Sequence, residues 1–265
     1  MSYRGLLAGG LLALAMVAPQ AATAQNRVVD LELALLVDVS GSVSATEFNL
    51  QKQGYVNAFN SASVKNAFAS GRSAAVTFIY WSSDNQQRQS VGWTLIDSAA
   101  SSAAFASLIA ATNRPFSGNT AIGNALAFAT PLFSANLFDS ARQVIDVSGD
   151  GSSNDGINTL NARNAALAAG IDQINGLPIL GSESGLVAYY QNNVQGGTNS
   201  FTLAANSFAD FDAAVELKIG REIVNPPAVP EPATWAMMIA GFGVAGFAMR
   251  RNRAAAKFSG KFAAA

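Results

Sequence analysis

The sequence predicts an α/β protein built on one open, mostly parallel sheet with helices on both faces and one antiparallel edge strand. Three observations carry this. Segments 28–38 and 143–148 contain apolar runs that suit strands buried on both faces. Strand-like and helix-patterned segments alternate along the chain, as crossover connections between parallel strands require. The β-rich segments 74–81 and 88–96 lie close enough to pair as a hairpin.

Taken in order, the first strand occupies 28–38 and stops at Asp38. Ser44-Ala45-Thr46-Glu47 then offers a capping box to a helix whose Phe48, Tyr55 and Phe59 form an apolar stripe, diluted by Gln51 and Lys52. Residues 74–81 and 88–96 follow as strands, 98–112 as an Ala-rich helix and 121–133 as a further helix. A short buried strand at 143–148, a helix at 157–169, a strand at 174–180 interrupted by Pro178 and a helix at 183–194 come next. Segments 200–204 and 208–223 complete a domain expected to span 28–223, with no internal repeat. In such sheets ligands bind beyond the carboxyl ends of the strands, so the residues directly after strands carry the chemistry.

Composition narrows that chemistry. Half of the 265 residues are hydrophobic and 12% are charged, sufficient for one core once the terminal segments are set aside. The chain has no Cys, which excludes disulfides, thiolate metal sites and cysteine nucleophiles. It has no His, which excludes a Ser/His/Asp triad, an imidazole zinc site and a histidine base. Residues 25–229 hold ten Lys and Arg against sixteen Asp and Glu, a balance of −6, and this argues against nucleic acid as a partner.

The two ends read as addresses. Arg4, an apolar run at 6–17, Pro19 and the small residues Ala22-Thr23-Ala24 make 1–24 an expected signal peptide, cleaved after Ala24 by signal peptidase. The alternative, a retained anchor, would need an apolar run nearer to about 20 residues. Residues 224–234 form a Pro-rich linker carrying Pro230-Glu231-Pro232, 235–249 an expected transmembrane segment, and 250–265 a basic cytoplasmic tail with Arg250, Arg251 and Arg253. This three-part tail resembles the PEP C-terminal sorting signal handled by exosortases. The resemblance implies export through the inner membrane, cleavage near residues 230–232, and release or attachment at the cell surface or in an extracellular matrix. The membrane is then met only through the terminal segments.

Three loops at one end of the predicted sheet concentrate oxygen ligands. Asp38-Val39-Ser40-Gly41-Ser42 follows the first strand, Ser117-Gly118-Asn119-Thr120 opens a helix, and Ser148-Gly149-Asp150-Gly151 ends the 143–148 strand. Asp38, Ser40, Ser42, Thr120 and Asp150 make an all-oxygen set without nitrogen or sulfur, which suits a hard divalent cation: Mg²⁺ first, with Mn²⁺ or Ca²⁺ as alternatives. A structural reading stands beside it. Ser40 and Ser42 would satisfy backbone groups, Thr120 would cap its helix, and Asp150 would hold a turn.

Here the sequence resembles the von Willebrand factor type A family, with its Rossmann-like sheet and its metal-ion-dependent adhesion site formed by an Asp-x-Ser-x-Ser loop, a Thr and an Asp. The resemblance implies that Ser40 and Ser42 bind the cation directly, that Thr120 does so in the ligated form, and that Asp38 and Asp150 act largely through water. Ser148-Gly149 before Asp150 departs from the more usual Thr-Asp-Gly form. Neutral hydroxyls leave the cation with charge to spare for a partner's carboxylate.

Other features read more plainly. The 150–156 segment places glycine seventh rather than sixth and lacks a suitably spaced Glu, so it does not fit a helix-loop-helix calcium loop, and Asn154 and Asp155 are expected in a solvated turn. Asp146, inside an apolar strand, is expected to be a hydrogen-bonded structural carboxylate or a support of the metal site. Trp81 is expected in the core, with the partner surface as its alternative, and Tyr189 and Tyr190 as core or rim aromatics. The functional expectation is an exported, non-enzymatic binding or adhesion module that captures a carboxylate of a protein or matrix partner through a divalent cation. Its alternatives are a structural matrix protein with a vestigial or stabilising site, and a metal-dependent hydrolase with Asp38 or Asp150 as base.

Overall fold

A computed structural model describes residues 26–181 and 183–224. Its central sheet starts from β2 (Leu31–Asp38), which follows the short β1 (Arg27–Val29) after a bend at Asp30. All eight residues of β2 are buried, as its apolar run requires of a central strand. The chain continues through α1 (Ala45–Asn60), α2 (Ala62–Ala69), β3 (Ala74–Trp81), β4 (Gln87–Ile96), α3 (Ala99–Ala110) and α4 (Ile122–Ala129), which runs into a 3₁₀ turn at Thr130–Leu132. Then come β5 (Phe138–Ser140), β6 (Gln143–Gly149), α5 (Thr159–Ala168), β7 (Gln173–Pro178), α6 (Leu186–Tyr189), β8 (Gly196–Gly197) and α7 (Phe211–Val224).

The six-stranded sheet has the order β4-β3-β2-β6-β7-β8, while β1 and β5 pair separately in parallel. β3, β2, β6 and β7 are parallel, and β4 is the expected antiparallel edge. A second antiparallel edge, the two-residue β8, was not foreseen, because Gly196-Gly197 has no side chains from which a strand could be read. The 200–204 segment does not add a strand; it touches β7 through one bridge, Gly176 with Thr202.

Alternation of side chains across the sheet divides the interior into two cores. Leu33, Leu35, Val37, Phe78 and Val144 pack with Tyr55, Phe59, Phe105 and Phe211 of α1, α3 and α7. Ala34, Leu36, Ile79, Trp81, Ile145 and Val147 pack on the other face with Ile122, Leu126, Ala162 and Tyr190. Trp81 is therefore a core residue, fully buried.

Local signals explain the helix ends. Ser44 caps α1 with the expected reciprocal pair: Glu47 N donates to Ser44 Oγ and Ser44 N to Glu47 Oε2. α2 was not anticipated; Ser61 both ends α1 and caps α2, so one continuous polar-apolar pattern conceals a break. The expected 183–194 helix is shorter, with α6 followed by a π-helical turn at Tyr190–Val194. The expected signal peptide 1–24, linker residues 225–234, transmembrane segment 235–249 and tail 250–265 lie outside the described residues. Among the described residues, no helix is long and apolar enough to cross a membrane.

Candidate metal centre

β2, β3 and β6 end side by side, with Asp38 opposite Trp81 and Val37 opposite Ser148. Each strand thus delivers its following loop to the same end of the sheet. Asp38 is fully buried, and its Oδ1 accepts from Ser40 N at 2.7 Å, which turns the loop back on itself. Ser40 Oγ lies 3.0 Å from Ser42 Oγ, and Ser42 Oγ donates to Asp150 Oδ1 at 2.7 Å. Asp38, Ser40, Ser42 and Asp150 therefore form one hydrogen-bonded chain across two loops.

Thr120 is not hydrogen-bonded to those four. Its loop is brought alongside by Gly41 N donating to Gly118 O at 2.7 Å and by Ala121 N donating to Ser82 O at 2.9 Å. The cap position of α4 is Ala121, without a side-chain cap hydrogen bond, so the Thr120 hydroxyl is not spent on capping. Thr120 as a whole is 5% exposed. Gly118 is confined: a Cβ there would stand 2.3 Å from Ser83 Oγ.

Several residues that fix this arrangement were not anticipated. Arg114 Nη2 donates to Val39 O at 2.8 Å and Ser40 O at 2.7 Å, tying the first loop to the segment before Thr120. Gln51, which dilutes the apolar stripe of α1, is buried and donates to Asp38 O at 3.2 Å. Asn154 is exposed and Asp155 half-buried, as a solvated turn requires, but the turn is also tied to the Thr120 loop. Asn154 Oδ1 accepts from Thr120 N at 2.9 Å and Asn154 N donates back to Thr120 O at 2.9 Å, while Asp155 Oδ2 accepts from Asn119 Nδ2 at 3.3 Å. Arg114, Asn154 and Asp155 have partners more than thirty positions away and leave no periodic signal; for Asn154 and Asp155 their neighbourhood to Asp150 is the one flag.

The carboxylates of the site are shifted by burial and by one another. Burial, and then repulsion from Asp150, push the Asp38 carboxyl up to about 7 against the opposing Ser40 hydrogen bonds. Asp150 is also raised, chiefly by burial, with Glu47 and Glu183 adding to the effect and the Ser42 hydrogen bond opposing it. Asp38 Oδ2 is buried with no hydrogen-bond partner, and so is the Tyr190 hydroxyl. An orphaned carboxylate oxygen, two hydroxyls in contact and a second carboxylate make a donor set that fits a hard divalent cation. Ser42 is exposed, and with Asp150 it borders a cleft of about 430 Å³ whose walls include Leu50, Leu180 and Phe208.

The fold is that of the von Willebrand factor A-like domains. The chain is similar to the pilus adhesin SpaC from Lactobacillus rhamnosus GG, at 16% identity and a TM-score of 0.57 over 76% of this chain and 31% of that one. It is similar to proximal thread matrix protein 1 (PTMP1) from the mussel byssus, at 16% identity and 0.54 over 74% and 47%, respectively. A von Willebrand factor type A protein from Catenulispora acidiphila matches at 15% identity and 0.51 over 74% and 43%. The chain thus spans between about a third and a half of the length of these proteins. No curated protein matches it in sequence.

Within that class, the chain belongs to the family described as protein of unknown function DUF1194, matched over residues 28–227. Residues 228–253 match the PEP-CTERM protein-sorting motif, which implies export and membrane association through the C-terminal segment.

Proposed function

We propose that this protein is a binding module that captures an acidic group of a protein or matrix partner through a divalent cation held by Ser40, Ser42 and Thr120, with Asp38 and Asp150 acting through water. The observation that carries the reading is Asp38 Oδ2: a fully buried carboxylate oxygen without a partner, at the end of the Ser40–Ser42–Asp150 hydrogen-bonded chain. An unpartnered buried carboxylate is costly, and a nearby cation offsets that cost. When bound, the cation supplies a Lewis-acid position for an incoming carboxylate. Mg²⁺ suits the small hydroxyl-rich set best, with Mn²⁺ and Ca²⁺ as alternatives.

The role of the protein residues is to orient and exclude. Arg114 and Gln51 hold the backbone of the first loop, Asn154 holds Thr120, and buried Asp38 contributes negative charge without reaching solvent. Exposed Ser42 is where a partner would approach. A binding rather than catalytic role is favoured by the absence of His and Cys, which leaves Asp38 or Asp150 as the available bases. The sorting motif supports placement at the cell surface or in an extracellular matrix after processing by signal peptidase and exosortase.

Calorimetric titration of Mg²⁺, Mn²⁺ and Ca²⁺ into chelator-treated protein, beside its Ser40→Ala, Ser42→Ala variant, tests the site. One saturable event lost in the variant is expected. Equal binding by the variant would overturn the assignment.

A further inference from the structure

A second cluster of ionisable groups lies away from the loops, inside the core between α7 and the sheet. Lys218 is fully buried, and its Nζ stands 2.5 Å from Asp146 Oδ1 and 2.6 Å from Glu222 Oε1. Asp146 is fully buried in the middle of β6, and Glu222, one turn after Lys218 on α7, is 1% exposed. Asn175, opposite Asp146 on β7, donates to Glu222 Oε1 at 2.9 Å, and the Phe201 ring covers Lys218 Nζ at 5.4 Å from its centroid. Glu222 Oε2 has no hydrogen-bond partner.

We propose that Lys218 and Asp146 condense spontaneously into an intramolecular amide, with Glu222 as the proton carrier. An amine in contact with a carboxyl carbon's oxygen, held there by packing, has the proximity that makes a slow bimolecular reaction intramolecular. A dry pocket favours neutral amide over an ion pair, because burying two charges is costly even when they are paired.

The step balances without any co-reactant. The Lys218 ammonium passes a proton to the Glu222 carboxylate, and the freed Nζ lone pair attacks Asp146 Cγ. Glu222 returns that proton to an Asp146 oxygen, the remaining Nζ proton lost on amide formation follows by the same route, and the Cγ–O bond breaks to release water. The nitrogen and carbon keep their oxidation states, and Glu222 ends as it began. Burial, with Glu222 beside it, raises the Asp146 carboxyl, which favours a protonated leaving oxygen.

The product would join α7 to a central strand by a covalent bond in a chain that has no cysteine for a disulfide. It is independent of the cation site, and the two readings can fail separately.

The test is peptide mapping of the purified, unreduced full chain by mass spectrometry. Trypsin cuts after Arg142, Arg163, Lys218 and Arg221 in this region. With the amide present, cleavage after Lys218 is lost, and peptides 143–163 and 164–221 appear as one branched species lighter than their sum by one water molecule. Free peptides 143–163 and 164–218 at full yield, in fresh and in aged protein, would overturn the proposal. A link to Asn175 with loss of ammonia would overturn the assignment to Asp146. The Glu222→Gln variant is expected to fold, by circular dichroism, with the branched peptide reduced at least tenfold; undiminished linkage would remove Glu222 from the mechanism.

Discussion

Gly149 and Asp38 share a space that has no room for a side chain. A Cβ on Gly149 would lie 2.7 Å from Asp38 Oδ2 and 2.8 Å from the Tyr190 hydroxyl. At Gly149, where the chain departs from the Thr-Asp-Gly form, glycine lets β6 end against a buried carboxylate. Gly149→Ala is expected to cost about 1–3 kcal/mol through overpacking and to weaken Mg²⁺ binding. Urea denaturation with and without Mg²⁺ checks both effects.

Arg114 joins two loops that, among the described residues, have no other charged link. Its two hydrogen bonds to Val39 O and Ser40 O are of the charge-assisted type. Arg114→Ala should lower stability by about 2 kcal/mol, and Arg114→Lys should recover only part, because an ammonium cannot reproduce the guanidinium's planar fork. Thermal melts of the three proteins decide this; for a domain of this size, about 2–4 °C per kcal/mol is expected.

Asn154 supports Thr120 from a loop thirty-four residues away. Asn154→Ala leaves the Thr120 amide without its acceptor, at a cost of about 1–3 kcal/mol. Hydrogen exchange should quicken at residues 118–121 while the β2 amides stay protected, and cation affinity should fall.

Asp38 makes the pH dependence specific. Its ordinary value of 3.8 rises to about 7 in the fold. Between those values the folded protein keeps a proton that the unfolded chain has released, so cation-free protein loses stability as pH rises from about 4 to about 7. On the proposed reading a cation would replace that proton, so affinity for it should grow over the same interval and level off above about 7. Melts in chelator and in excess Mg²⁺ should diverge with rising pH; Asp38→Asn should make the chelator curve less steep, the raised Asp146 and Asp150 carboxyls keeping the remainder, and should shrink the difference between the two.

Much of this arrangement was legible in the linear chain, and the reason is local. An apolar run that stops at Asp38 announces both a buried strand and the loop that leaves it, and Ser44 with Glu47 announces the next helix. The same logic brought Thr120 and Asp150 to one end of the sheet, because each follows or flanks a strongly patterned element. What escaped was non-local. Gln51 reads as a flaw in an apolar stripe until its bond to Asp38 O is seen, and the bond of exposed Asn154 to Thr120 leaves no sign because the two are remote in sequence. Lys218 and Asp146 lie seventy-two positions apart and on elements whose periodicity treats each as an interruption. β8 escaped for a different reason, since two glycines carry no pattern.

β6 has parallel neighbours on both sides, β2 through Glu32–Val37 and β7 through Gln173–Pro178. Its far end carries Asp150, and its middle carries Asp146, to which α7 is bound through Lys218. Tension entering through α7 and resisted at the loop end would therefore run lengthwise along an interior strand. Such a strand must slide against both ladders at once, breaking their hydrogen bonds together in shear, whereas an edge strand can be unzipped one bond at a time.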